Sequence, residues 1–303
     1  MFHLLPHKNT IIVIAGPTAA GKTNLAIELA QYFGTQIISA DSRQCFKELT
    51  IGTAKPSAEE LNLVQHYFIN SHSITDEVNA GMYEQYALQA VDTIFKSSNV
   101  AVMAGGTGLY IKAFCDGIDV MPTVPTLVRE NIINQYNQFG LAWLQDELKT
   151  KDILFWETAE QQNPQRLMRA LEVLDTTGNS INFYRSKTPV ERPFNIVKIG
   201  LELSREQLIK NINVRVDNMM LEGLLSEVES LKNQQQLNAL QTVGYKELFN
   251  FLDDNCTLPQ AINQIKINTR QYAKRQMTWF KKDAKINWVA NNAAAFNAIK
   301  NMV

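Results

Sequence analysis

The chain contains little cysteine, no long apolar run and no excess of either charge. Its three cysteines, Cys45, Cys115 and Cys256, are too few and too scattered for a disulfide framework or a metal-ligand set, which suits a reducing cytoplasm. The apolar segment 11–15 is far too short to span a bilayer, so we expect neither a signal peptide nor a transmembrane segment. Because 29 Lys and Arg residues balance 30 Asp and Glu residues, the net charge argues weakly against nucleic-acid binding.

Length and composition are those of a globular protein. With 303 residues, of which 45% are hydrophobic and 19% are charged, the chain is long enough for a large core and for two lobes. These proportions exclude the disordered and fibrous classes of protein. The function must therefore be sought in the motifs.

The most informative motif is an eight-residue loop that fits the pattern G-x-x-x-x-G-K-[ST]. A strand-like segment at 11–15 precedes it and a helical segment at 24–33 follows it, which is the context that such a loop requires. Its backbone N–H groups converge on an anion, its lysine adds charge, and its threonine hydroxyl suits Mg²⁺. We predict that this loop binds a phosphorylated ligand through Gly16, Pro17, Thr18, Ala19, Ala20, Gly21, Lys22 and Thr23.

Strand and helix patterns alternate after this loop. They predict short strands at 36–40 and 100–104 and an amphipathic helix at 80–96. Strands separated by such helices form parallel sheets, so we predict an α/β fold with a core like that of P-loop NTPases. Ligands bind these sheets at the carboxyl ends of the strands, and we therefore expect the loop, Asp41 and Thr107 to share one crevice.

A change of composition at 121–125 marks an insertion in this core. The sequence is helical and rich in Gln, Asn, Leu and Glu from 126 to about 177, and a strand pattern resumes at 194–203. We predict a helical insertion domain at 121–190 and a core made of 1–120 and 191–303. The rest of the core is predicted to contain helical stretches at 204–233, 242–252 and 258–285 and a last short strand at 286–290.

Asp41 leaves three interpretations open. Directly after a buried strand and facing a phosphate loop, its carboxylate can be a Mg²⁺ ligand, a general base or a helix N-cap. NTPases usually place an Asp after a second buried strand to hold Mg²⁺, but the strand 100–104 leads into Gly105-Gly106-Thr107-Gly108. The missing carboxylate makes phosphoryl transfer a weaker hypothesis and favours a reaction in which diphosphate is the leaving group.

Positive charge is concentrated in two helical segments. The tail 266–285 contains seven cations and one acid, and its aromatic residues make it either a solvated helix that packs on the core or a contact for RNA. Arg166 and Arg169 share one face of a predicted helix at 165–174 in the insertion. Arg215 lies in a further helix, where it is free to reach ligand phosphates. In the RNA interpretation of the tail, the contacting cations are Arg270, Lys274 and Arg275.

Taken together, these segments resemble the tRNA dimethylallyltransferase family, whose members are also called tRNA isopentenyltransferases. The matching segments occur in family order over nearly the full chain, a combination far more specific than the loop alone. They are GPTAAGKT (16–23), ADSRQ (40–44), GTAKP (52–56), GGTGLY (105–110), NPQRLMRALE (163–172), NVRVDNM (213–219), QTVGYKE (241–247) and TRQYAKRQMTWF (269–280).

The resemblance implies a reaction, a cofactor and partners. It implies transfer of a dimethylallyl group from dimethylallyl diphosphate to N6 of the adenosine at position 37, just 3′ of the anticodon, in tRNAs that read codons beginning with U. It also implies Mg²⁺, a P-loop core and a helical insertion that moves onto the tRNA. We expect a cytoplasmic enzyme that acts as a monomer.

The resemblance also implies site residues. Asp41 resembles the general base, Thr107 resembles the residue beside the reacting centre, and the loop with Arg215 and Mg²⁺ on Thr23 resembles the diphosphate site. The tRNA contacts that it implies are Asp41, Ser42, Arg43, Gln44, Gln165, Arg166, Leu167, Met168 and Arg169, with Arg129 by its offset from Thr107.

Two positions depart from the family pattern. Position 43 is Arg where Met is usual, and Phe46 stands where Tyr is common. The sequence shows no zinc-finger extension of the eukaryotic kind, which favours a bacterial-type enzyme. The alternatives are an isopentenyltransferase that uses AMP or ADP, a small-molecule kinase that binds ATP at the loop, and a non-catalytic RNA-binding module.

Overall fold

The structure is a computed structural model that describes residues 9–185 and 188–303. Residues 1–8, to which the prediction of no signal peptide also applies, lie outside the described residues. The described chain forms two compact units, one made of the residues up to Gly117 together with Val190–Val303, and the other made of Ile118–Pro189. None of the helices that the structure describes combines the length and the apolar character that a membrane crossing requires.

The first unit is built on a six-stranded sheet in which every strand pair is parallel. The strands are β1 Thr10–Ala15, β2 Ile37–Ser39, β3 His66–Tyr67, β4 Val100–Ala104, β5 Asn195–Leu201 and β6 Ile286–Val289. Their order across the sheet is β3-β2-β4-β1-β5-β6. The predicted α/β fold is confirmed.

The central strand β1 carries buried apolar side chains on both faces of the sheet. Each of its six residues is buried, and successive side chains of a strand point to opposite faces. Ile11 and Val13 accordingly belong to one hydrophobic cluster, and Ile12 and Ile14 belong to another. A continuous apolar strand of this kind is typical of a parallel sheet that lies between two layers of helices.

Twelve helices are assigned in the described residues, three of them, α5 to α7, in the second unit. In chain order they are α1 Lys22–Phe33, α2 Ala58–Leu63, α3 Ala80–Ile94, α4 Gly108–Asp116, α5 Thr126–Lys151, α6 Ile153–Trp156, α7 Pro164–Thr177, α8 Arg205–Leu221, α9 Leu224–Ser230, α10 Tyr245–Leu252, α11 Leu258–Phe280 and α12 Asn292–Lys300. Short 3₁₀ helices occupy Ile181–Tyr184, Lys232–Gln234 and Asn238–Leu240.

Most predicted elements are present, with shifted ends. The helical stretch predicted at 204–233 is divided at Gly223, which has a φ of 100° and separates α8 from α9. The stretch predicted at 258–285 ends at Phe280, before the short segment that leads into β6. The sequence patterns did not predict α2, β3 or α12, because two of these elements are very short and α12 follows an Asn-rich turn.

The second unit has a core of its own. Leu144 and Leu148 of α5 and Leu167 and Leu171 of α7 are fully or almost fully buried in it. The segment α5 contains a break at Gly140, whose φ of 73° is not helical. This unit, 118–189, covers nearly the same residues as the insertion predicted at 121–190.

Candidate active site

The phosphate loop connects β1 to α1 at the centre of the sheet. Gly16 has a φ of 148°, and a Cβ there would lie 3.0 Å from the carbonyl oxygen of Leu201. Gly21, with a φ of 89°, stands directly before α1. Both glycines are therefore required by backbone conformation, and the loop delivers Lys22 and Thr23 at the N-terminus of α1, where a helix favours anions.

Three amide side chains from distant helices hold the loop. The Nδ2 of Asn211 on α8 donates to the carbonyl of Ala19 at 3.1 Å, and the Nδ2 of Asn292 on α12 donates to that of Gly21 at 3.3 Å. The N–H of Thr18 donates to Oε1 of Gln276 on α11 at 2.8 Å. None of these residues had been assigned a role from the sequence, since each lies more than 190 positions from its partner.

Gln276 also connects the loop to the end of β4. Its side chain is buried, and its Nε2 donates to the carbonyl of Gly106 at 2.9 Å. A Cβ at Gly106 would collide with this amide, and one at Gly108 would collide with Trp279, also on α11. The glycines after β4 thus allow α11 to approach the end of the sheet.

Two cations face the loop. The Nζ of Lys22 donates to the carbonyl of Pro17 at 2.7 Å, and Nη1 of Arg215 donates to Oγ1 of Thr18 at 3.2 Å. Burial lowers the pKa of Lys22 to about 8, the nearby Arg215 contributes to this lowering, and Asp41 opposes both. Burial also lowers the pKa of Arg215. These shifts show that positive charge is held here at a cost, which a bound anion would relieve.

Asp41 and Thr107 lie where β2 and β4 end. The Oδ1 of Asp41 accepts the N–H groups of Arg43 at 2.9 Å and of Gln44 at 3.3 Å, so that it caps a turn. The Oγ1 of Thr107 accepts the N–H of Ser42 at 3.0 Å. No donor from the described residues is paired with the other Asp41 oxygen, Oδ2. The capping interpretation therefore holds for one of the two oxygens.

Two adjoining cavities meet at Asp41. The smaller, of about 120 Å³, is lined by the loop residues 18–23, Asp41, Gln44 and Arg215. The larger, of about 480 Å³, shares Thr18, Asp41, Arg215 and Tyr272 with it and extends to Arg43 and Arg275. The sequence predicted that the loop, Asp41 and Thr107 share one crevice. The loop and Asp41 do line one cavity, but Thr107 lines neither of these two cavities and contacts the N–H of Ser42 instead. The smaller cavity offers the N–H groups of the loop, cations line both cavities, and so does the ring of Tyr272.

The cations of the tail differ in their surroundings. Lys266 forms an ion pair with Asp217 at 2.5 Å, and Lys281 forms one with Glu202 at 2.7 Å. Lys274 and Arg275 are exposed, and the guanidinium of Arg275 lies 5.8 Å from the ring centre of Tyr272. Arg270 is half-buried, and its Nε donates to the carbonyl of Lys266.

The predicted tRNA contacts of the insertion lie in the second unit. Arg166 pairs with Glu160 at 3.1 Å, while Arg129 and Arg169 both pair with Glu172, at 3.4 and 3.1 Å. Gln165 is exposed and Met168 is half-buried. Leu167 requires a correction, because its side chain is 0% exposed and fills the core of this unit, so it has no surface to offer to RNA.

The donor groups at the loop fit a magnesium ion that is held mainly by its ligand. The described residues contain no group of three His, Cys, Asp or Glu side chains that could hold a metal. The hydroxyl-bearing Thr23 nevertheless lines the small cavity. It offers one oxygen ligand to Mg²⁺, which keeps several waters and takes further oxygens from substrate phosphates.

Comparison with protein families and curated proteins gives a consistent result. The model of the IPP transferase family matches residues 44–283. The tRNA dimethylallyltransferase 1 of Bacteroides thetaiotaomicron is 46% identical over 279 residues, which are 92% of this chain and 91% of that protein. The tRNA dimethylallyltransferase of Christiangramia forsetii is 47% identical over 280 residues, with 92% and 93% covered.

Solved structures give the same result at the level of the fold. The full-length tRNA isopentenylpyrophosphate transferase from Bacillus halodurans has a TM-score of 0.72 at 32% identity and covers 97% of this chain and 95% of its own. A eukaryotic dimethylallyltransferase acting on tRNA has a TM-score of 0.78 at 25% identity, covering 93% of this chain and 74% of its own.

Proposed function

The chain belongs to the IPP transferase family, and we propose that it transfers a dimethylallyl group from dimethylallyl diphosphate to N6 of adenosine 37 in tRNA. The acceptors are tRNAs that read codons beginning with U, and diphosphate is released. The observation that carries this proposal is the meeting of an anion-binding loop with a free carboxylate oxygen at two joined cavities. One cavity suits a diphosphate and the other suits a nucleobase.

The loop, Lys22 and Arg215 stabilise the leaving group. As the bond between C1 and oxygen breaks, negative charge grows on the diphosphate, and fixed N–H groups and cations stabilise it without reorganisation. Lys22 exchanges the Pro17 carbonyl for a phosphate oxygen, and Arg215 is already directed at Thr18. Mg²⁺, with Thr23 as its protein ligand, would add Lewis-acid stabilisation of the departing diphosphate.

Asp41 takes the proton of the acceptor amine. An adenine amine is a weak nucleophile because its lone pair is delocalised into the ring, so removing a proton as the C–N bond forms assists attack. Oδ2 is the oxygen available for this, since Oδ1 holds the turn at 42–44. Thr107 fixes that turn through the N–H of Ser42 and so stands beside the reacting centre.

The acceptor base enters from an anticodon loop. A base in a single-stranded loop leaves its stack at little cost, and aromatic and cationic side chains then receive it and its neighbours. We assign this contact to Ser42, Arg43, Gln44, Arg270, Lys274 and Arg275 in the core and to Arg129, Gln165, Arg166, Met168 and Arg169 in the insertion. We also propose that the insertion is the tRNA-binding domain and that the enzyme acts as a monomer in the cytoplasm.

Two other enzymes share parts of this site. A kinase would need ATP and, in most cases, a carboxylate after a second strand, where this chain has Gly105 and Gly106. An AMP or ADP isopentenyltransferase would need the same diphosphate loop but no basic surface on α11. The test is to offer labelled dimethylallyl diphosphate with Mg²⁺ and either an anticodon stem-loop or AMP. Label on the RNA supports the proposal, and label on AMP alone contradicts it.

A further inference from the structure

Two sequence motifs, GTAKP at 52–56 and QTVGYKE at 241–247, have no part in the chemistry described above. In the structure a residue outside both motifs connects them. This residue is Glu227, which lies on the short helix α9 and is half-buried. Glu227 forms hydrogen bonds with a residue of each motif, Gly52 and Tyr245, and so links the two.

The carboxylate of Glu227 receives four hydrogen bonds. The N–H groups of Thr50 and Ile51 donate to its Oε2 at 3.1 and 2.8 Å, and the N–H of Gly52 donates to its Oε1 at 3.0 Å. The hydroxyl of Tyr245 also donates to Oε1, at 2.5 Å. Gly52 is required there, because a Cβ would lie 2.5 Å from the ring of Tyr245.

These bonds fix the shape of the segment 50–54, which we call the 50–54 loop. Inside it, the N–H of Ala54 donates to the carbonyl of Ile51 at 2.9 Å. Ala54 has a φ of 48°, a left-handed conformation that a residue with a Cβ does not favour. The surrounding contacts must therefore hold it, and three of them are the N–H bonds to Glu227.

The 50–54 loop in turn fixes the amide of Gln44. The Nε2 of Gln44 donates to the carbonyls of Thr53 and Ala54 at 3.3 and 3.0 Å, which uses both of its hydrogens. Because two carbonyl oxygens face this end of the Gln44 amide, it must be the NH₂ end, which donates to both. The Oε1 accepts from the hydroxyl of Ser39 at 3.3 Å and keeps one lone pair. Gln44 lines the small cavity beside Asp41.

We propose that Glu227 is a positioning residue for recognition of the acceptor base, and that it acts through the 50–54 loop on Gln44. Held in this way, Gln44 offers the cavity an acceptor oxygen and no donor, which suits the exocyclic amine of adenine and opposes the O6 oxygen of guanine. This inference rests on the proposed function and adds a residue that touches neither substrate.

The test compares Glu227→Gln with Glu229→Gln, an exposed position on the same helix. Glu227→Gln replaces a carboxylate that accepts four bonds, so kcat/KM for an anticodon stem-loop falls about 10- to 100-fold. The KM for dimethylallyl diphosphate stays within a few-fold, and Glu229→Gln behaves as the wild type. Tyr245→Phe removes one bond and lowers the same kcat/KM about three- to tenfold. If Glu227→Gln melts below the assay temperature, Tyr245→Phe decides.

A double-mutant cycle separates positioning from a general loss of structure. In a Gln44→Ala background, Glu227→Gln is expected to lower kcat/KM less than about twofold, because the residue through which it acts is gone. Additive losses, an equal rise in the KM for the diphosphate, or a fully active Glu227→Gln would each overturn the inference. A wild-type chain that prenylates no RNA would overturn the proposed function, and this inference with it.

Discussion

We propose that Asp41 serves structure and chemistry with different atoms. Its Oδ1 accepts two backbone N–H groups and orders the turn after β2, while Oδ2 is the oxygen that we assign to the substrate. The sequence alone allowed a cap, a metal ligand or a base, because each of these places a carboxylate after a strand. Only the hydrogen bonds show that the first interpretation does not exclude the third.

Asp41→Asn separates these two roles. The amide keeps an oxygen for the N–H groups of Arg43 and Gln44, so the turn and the affinity for tRNA stay within a few-fold of wild type. It cannot take the proton of the amine, and the rate of prenyl transfer falls by about 10²–10⁴. Single-turnover kinetics with bound tRNA measure this directly. Near-normal turnover would remove Asp41 as the base.

The lowered pKa of Lys22 predicts that the reaction with dimethylallyl diphosphate depends on pH. Burial and Arg215 lower its pKa to about 8, so its ammonium attracts diphosphate below that pH and is lost above it. We expect kcat/KM for dimethylallyl diphosphate to fall as pH rises above about 8, since this parameter reports the free enzyme. Lys22→Arg, though less active, should show no such fall, because a guanidinium stays charged. A profile for the wild type that stays flat to about pH 10 would contradict this role.

At the scale of elements, α11 is both a surface and a support. Its buried Gln276 holds Thr18 in the phosphate loop and Gly106 after β4. One turn earlier, Tyr272 lines both cavities, and Lys274 and Arg275 are exposed. Packing and RNA contact are therefore compatible interpretations of this helix, because the exposed face that we propose for RNA is not the face that packs on the core.

If the cations of α11 contact RNA phosphates, the affinity for tRNA depends on the salt concentration. Replacing Arg270, Lys274 and Arg275 with Gln removes cations that we assign to RNA phosphates. The slope of log affinity for tRNA against log salt should flatten by about 0.7 for each phosphate that is no longer neutralised. Lys300→Gln is the control, since Lys300 lies on α12 over the ring of Tyr32. A slope unchanged by the triple substitution would show that these cations do not contact RNA phosphates.

At the scale of the whole molecule, the sequence predicted what depends on local patterns. The alternation of apolar strands and helices predicted the sheet, and G-x-x-x-x-G-K-[ST] predicted the loop between β1 and α1. Arg215 was predicted to be free for ligand phosphates, and in the structure it reaches Thr18. The pattern of each strand, helix and loop is local in the sequence, and the prediction for Arg215 rested on its spacing from Asp217, since residues two apart on a helix face apart.

The rest depends on contacts that no local pattern contains. Gln276 meets Thr18 across 258 positions, and Glu227 meets Ile51 across 176. The motifs that contain Gln276, Gly52 and Tyr245 were visible in the sequence, but the residues that each of them contacts could not be predicted from it. Leu167 fell within a predicted surface motif although its side chain is core, because a helix that carries a binding face must also bury its other side.

The central claim is that the phosphate loop holds a diphosphate that leaves, and its most direct test is the product released. The chain is incubated with Mg²⁺, an anticodon stem-loop and either dimethylallyl diphosphate or ATP labelled on its γ-phosphate. The account predicts one diphosphate released for each prenyl group that reaches the RNA, and no transfer or hydrolysis of the γ-phosphate. Turnover of ATP with no reaction of the allylic diphosphate would contradict it.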